Sequence, residues 1–148
     1  MTTTWILAAD GNQARLLKGV NFLKDGPQNP EQEIFQLDTK KVQDIMADKP
    51  GRSHSSVGHG RSAMEYSSDP VREEQQRFTS DVASKIDIYE QQGAFDRLVV
   101  CAAPQTLGDL RCMLSTATRA KTTMEINKDY SKMPTDKLIS SVRAAMSS

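Results

Sequence analysis

The chain has few cysteines, few aromatics, no charge imbalance and no long apolar run, and each shortage excludes a class of protein. Its two cysteines, Cys101 and Cys112, fit neither the spacing of a zinc ribbon nor a redox Cys-x-x-Cys pair. They are expected to be small, buried or half-buried thiols. Aromatic residues make up 5% of the 148 residues, too few for a platform on which several bases stack. Nineteen basic side chains meet nineteen acidic ones, so the chain as a whole is neither a basic nucleic-acid binder nor an acidic solvating tail. A local basic patch is still allowed. No stretch approaches the ~20 apolar residues that span a bilayer. No basic residue precedes Trp5 and Asp10 ends the first apolar run, which does not read as a signal peptide. A cytoplasmic location is the resulting expectation.

What is present reads as two halves of one domain, 1–148. Residues 4–9 form an almost continuous apolar run with Trp5, Ile6 and Leu7, a strand pattern. Asp10-Gly11-Asn12 supplies a turn, since Gly and Asn tolerate positive φ. Residues 14–20 resume as a second strand, and residues 33–37 read as a third anchored by Ile34 and Phe35. Three short strands with turns between them predict an antiparallel meander. Asp69-Pro70 is a helix start: the carboxylate caps free amides and proline fits the first turn. Phe78, Val82, Ile86 and Tyr89 then recur at helical spacing, and Gly93 is a natural stop. Residues 95–103 form a continuous apolar run, as in a strand covered on both faces. Pro104 opens a helix with Leu107, Leu110 and Leu114 on one side, residues 122–126 alternate as a fifth strand, and Pro134 starts a last helix. That helix is expected to bury Leu138, Ile139, Val142 and Met146. The resulting fold class is α/β, one mixed sheet of about five strands flanked by helices.

Between the halves lies a stretch poor in apolar residues and rich in glycine and serine, expected to be a long flexible loop at about 47–68. It carries Lys49, Arg52, His54, His59 and Arg61 directly before a helix start. Arginine offers a planar fork of donors to phosphate, glycines admit close backbone approach, and a helix amino end favours anions. The spacing is no Walker or dinucleotide fingerprint. His54 and His59 lack a third ligand at a recognisable spacing, so no metal is expected. Asp10, after the first strand, is the one candidate for a catalytic carboxylate. A two-metal site would need Asp96, Glu125 or Asp129 beside it, and the simpler reading is a turn former. Lys128, after the fifth strand, is a further candidate anion contact. No Gly-x-Ser-x-Gly elbow occurs, and no cofactor is expected.

Taken together, Trp5-Ile6-Leu7-Ala8-Ala9-Asp10, Ala14-Arg15-Leu16, Asp48-Lys49-Pro50-Gly51-Arg52, Asp69-Pro70, Phe78, Phe95-Asp96-Arg97-Leu98-Val99, Ala103-Pro104 and Leu107-Gly108-Asp109-Leu110-Arg111 make an ordered pattern completed by Lys128-Asp129 and Pro134. In this order the chain resembles the bacterial host attachment protein family, described as required for attachment to host cells. That family is in turn similar to the middle domain of archaeal and eukaryotic peptide-release factors and their bacterial relatives. The resemblance implies a mixed sheet of ribonuclease-H-like topology and a translational setting. It does not imply peptide release, because the Gly-Gly-Gln loop that release requires is replaced here by Gly58-His59-Gly60-Arg61. The functional expectation is a non-catalytic module contacting RNA or the ribosome through the basic loop. The alternatives are a host-attachment factor working by protein contacts and a metal-dependent nuclease using Asp10.

Overall fold

The computed structural model describes residues 2–24, 26–37 and 69–147. The five strands are β1 (Thr4–Ala9), β2 (Gln13–Val20), β3 (Glu31–Gln36), β4 (Arg97–Ala102) and β5 (Thr122–Ile126). They form one sheet in the order β3-β2-β1-β4-β5. β1 pairs antiparallel with β2 and β2 antiparallel with β3, which is the expected meander. β1 and β4, and β4 and β5, run parallel. The helices are α1 (Pro70–Gln91), α2 (Pro104–Met113), α3 (Thr116–Lys121) and α4 (Thr135–Ser147). The chain is an α/β fold with a mixed sheet flanked by helices.

β1 and β4 sit mid-sheet and are apolar on both faces because both faces are covered. Alternate side chains point to opposite sides. Trp5, Leu7 and Ala9 join Leu98 and Val100 under Phe78, Val82, Ala83 and Ile86 of α1 and Leu107, Leu110 and Leu114 at α2. Ile6 and Ala8 join Val99, Cys101 and Ile126 under Leu138, Ile139 and Val142 of α4. Each fully buried side chain of this size contributes about 1.5–3 kcal/mol.

The boundaries of α1 follow from its sequence. Asp69 is the N-cap, its Oδ1 accepting from the Val71 amide at 2.9 Å, and Pro70 occupies the first helical position. Gly93 turns the chain out at φ 70°, a conformation that side-chain-bearing residues resist.

Four expectations are corrected. β3 begins at Glu31, and of its two expected anchors only Phe35 packs on the core; Ile34 is 54% exposed. The two are adjacent in an edge strand, so they face opposite ways, and α4 covers only the inner strands on the side of Ile34. The helix opened by Pro104 stops at Leu114, whose backbone is extended, and a separate α3 follows, capped by Ser115 accepting from the Thr118 amide. Met146 is 42% exposed, while its neighbour Ala145 packs against the core in its place. Cys101 is buried as expected, but Cys112 is exposed, on the outer side of α2.

Candidate functional site

The carboxyl edge of the parallel strands is where open α/β sheets place their crevices. Here several elements meet. β1 ends at Ala9 and enters the Asp10-Gly11-Asn12 turn, in which Asp10 Oδ1 accepts from the Asn12 and Gln13 amides at 2.8 and 2.9 Å. The Asp10 amide donates to the Gln13 carbonyl at 3.0 Å. Asn12 Oδ1 accepts from Gln75 of α1 at 3.0 Å, and its carbonyl accepts from the Leu37 amide at 2.7 Å. The end of β3 and the start of α1 are thereby fastened to the same turn.

The amino end of α2 closes this edge from the β4 side. Its N-cap is Ala103, which has no side chain to bond the first turn. The amides of Gln105 and Thr106 find no acceptor among the described residues. Thr106 is only 4% exposed, yet its hydroxyl makes no hydrogen bond to any described residue. Gly11 faces it: at φ 92°, a Cβ on Gly11 would lie 3.2 Å from Thr106 Oγ1. Alongside, Arg72 Nη2 donates to Asp109 Oδ1 at 2.9 Å. Arg72 Nη1 lies 2.8 Å from the buried Oδ2, a charge contact without the alignment of a hydrogen bond.

The sequence candidates distribute unevenly over this edge. Asp10 is there, its carboxylate engaged by its own turn. Of the carboxylates a two-metal site would need, Asp96 accepts from the Thr3 amide at the opposite edge, Glu125 pairs with Arg111, and Asp129, on the same edge as Asp10, is engaged by Ser131. Among the described residues no three His, Cys, Asp or Glu side chains gather as metal ligands. Lys128 follows β5 on the carboxyl edge and is exposed. Lys49, Arg52, His54, His59 and Arg61, and the loop expected at 47–68, lie outside the described residues.

A second polar cluster fastens the β2–β3 hairpin to α1. Tyr89 donates to Glu33 Oε1 and accepts from Lys18 Nζ at 3.1 Å, while Lys18 lies 3.1 Å from the same Glu33 oxygen. Lys18 also sits 4.5 Å above the Tyr89 ring, which packs edge-on against Trp5. The Tyr89 hydrogen bond, followed by the Glu33 contact, outweighs burial and raises the Lys18 ammonium. Burial pushes the Glu33 carboxyl upward, but Tyr89, Lys18 and the charge of Lys85 together hold it below its usual range. Burial alone pushes the Cys101 thiol up to about 12, which keeps it protonated and unreactive.

These features define an α/β domain with one set of polar groups at the carboxyl edge of its sheet and a second cluster between β2, β3 and α1. The chain matches the family described as "Protein required for attachment to host cells" over residues 5–142, and it belongs to that family. No curated protein matches it. Among solved structures, a chain of a "PilM-PilN type IV pilus biogenesis complex" is similar at 12% identity and a TM-score of 0.39. The match covers 94% of the present chain but 41% of the other, so this chain spans less than half the length of the protein it matches. Among the described residues, no helix is long and apolar enough to cross a membrane.

Proposed function

We propose that this member of the host attachment family is a non-catalytic interaction module that contacts RNA or the ribosome. The contacting groups are Lys49, Arg52, His54, His59 and Arg61, together with Lys128. The observation that carries this reading is that the described residues flanking the basic stretch, Leu37 and Asp69, both sit on the carboxyl edge of the sheet. Lys128 leaves β5 on that edge, and the amino ends of α1 and α2 point their positive dipole ends toward it. A segment that leaves and returns here starts and finishes beside groups that favour phosphate. The engagement of Asp10 in its own turn supports a binding role over a nuclease. The resemblance of the family to the middle domain of release factors supports a translational setting.

Affinity capture from the native cell, comparing wild type with the Arg52→Ala/Arg61→Ala variant, tests this. Ribosomal proteins and RNA should accompany the wild type and be lost from the variant. Recovery of the same envelope proteins by both, without RNA, would instead establish attachment by protein contacts.

A further inference from the structure

We propose that the groove between the β2–β3 face and the loop after β5 binds an organic carboxylate with an apolar tail, held by Arg15, Lys132 and Ile34. Arg15 and Ile34 are opposite partners in the β2–β3 ladder, so their side chains leave the same face of the sheet. The loop carrying Ser131 and Lys132 borders that face and leaves a groove of about 460 Å³, a size that small ligands fill. Arg15 spends its donors on neutral acceptors. Nε and Nη2 donate to Gln32 Oε1 at 3.3 and 3.0 Å, Nη2 also donates to Thr135 Oγ1 at 2.9 Å, and Nη1 donates to the Met133 carbonyl. These bonds fix the guanidinium in place without neutralising it.

The charge of the groove is therefore unbalanced. Lys132 borders the same space, is exposed, and pairs with no carboxylate among the described residues. Among those residues no acidic side chain lines the groove. Burial lowers the Arg15 guanidinium, with no carboxylate acting against that shift. A partly buried cation is stabilised by an anion brought to it. The nearest cost is Asp129, behind Ser131, whose amide and hydroxyl donate to Oδ1 at 2.9 and 2.5 Å. Gln13 Nε2 donates to Ser131 Oγ at 3.4 Å and holds this loop against β2. Ile34, more than half exposed, gives the groove an apolar wall that an inorganic anion would leave uncovered. A carboxylate with a hydrocarbon tail uses both the cations and the wall. The site does not rest on the RNA reading, since none of its residues takes part in that reading.

The test is a titration of the full chain with hexanoate, acetate and inorganic phosphate in separate arms, followed by NMR of the backbone amides, the Arg15 Nε–H and the Ile34 methyls. Hexanoate should give saturable shifts at Arg15, Ile34 and Lys132, at a lower concentration than acetate or phosphate. Lys132→Gln removes an exposed charge and should weaken hexanoate about two- to fivefold, as for a solvent-exposed ion pair. Ile34→Thr should weaken hexanoate about fivefold, for the apolar surface it no longer offers, and leave acetate unchanged. Arg15→Gln should abolish saturation; because Arg15 also ties β2 to the loop, the two exposed variants carry the test if this one fails to fold. Shifts that rise linearly with hexanoate would overturn the proposal. Phosphate binding as tightly as hexanoate would also overturn it, as would unchanged hexanoate affinity in either Lys132→Gln or Ile34→Thr. The Arg52→Ala/Arg61→Ala variant should bind hexanoate as wild type does, so failure of the RNA reading and failure of this one are separable.

Discussion

Replacing Tyr89 by phenylalanine tests how β2, β3 and α1 are held together. The substitution keeps the ring, its packing on Trp5 and its contact with the Lys18 ammonium, and deletes only the hydroxyl. That hydroxyl makes two hydrogen bonds, each with a charged partner, and such bonds contribute about 1.5–3 kcal/mol when well buried. Lys18 and Glu33 remain 18% and 27% exposed and stay 3.1 Å apart without the hydroxyl, so no charge is stranded. The expected loss is therefore about 1–2 kcal/mol, or roughly 3–6 °C in Tm for a domain of this size. Urea unfolding at neutral pH should show a lower midpoint with the slope unchanged.

The pH dependence of that loss carries a definite sign. Glu33 is held below its ordinary 4.5, so its stabilisation is full above that value and fades as pH falls through the depressed one. Lys18 is raised above its ordinary 10.5, so its share is full below that value and fades as pH rises through the raised one. The gap between wild type and Tyr89→Phe should be widest between these limits and narrow on the acid side as pH falls below 4.5. A gap that is absent at neutral pH, or that grows on acidification, would refute the reasoning.

Other perturbations probe the remaining structure. Ile86→Ala, at a fully buried position of α1, should cost about 2–5 kcal/mol in urea or thermal unfolding. Asp69→Ala removes the cap from α1 and should cost about 1 kcal/mol, with faster amide exchange confined to the first turn. Alkylation followed by mass spectrometry should modify exposed Cys112 promptly in the native protein and Cys101 only on unfolding, since burial keeps the latter protonated.

Much of the fold was legible because its signals are local. β1 and β4 announce themselves as continuous apolar runs, and α1 carries both its cap at Asp69 and its stop at Gly93. The errors fall where a neighbour decides. Ile34 has the composition of a core anchor, but its place on an edge strand leaves it outside the reach of α4. α3 is six residues with Thr118 as its one buried side chain, so it lacks an apolar stripe, and the Ser115 cap was its only signal. The candidate site divides in the same way. Asp10 and Lys128 follow strands and could be placed on the carboxyl edge from order alone. The approach of Thr106 to Gly11 joins residues from two elements far apart in the chain, and the Lys18–Glu33–Tyr89 cluster joins three, so no spacing marks either.

The central claim, that basic side chains of this domain contact RNA phosphates, is tested most directly by fluorescence anisotropy of a short single-stranded RNA at a series of salt concentrations. Binding should be weak and indifferent to sequence, with log affinity falling linearly against log salt. Removing two phosphate contacts in Arg52→Ala/Arg61→Ala should flatten that slope by about 1.4, at about 0.7 for each contact on a single strand. A wild-type slope near zero, or a slope the double variant leaves unchanged, would contradict the account.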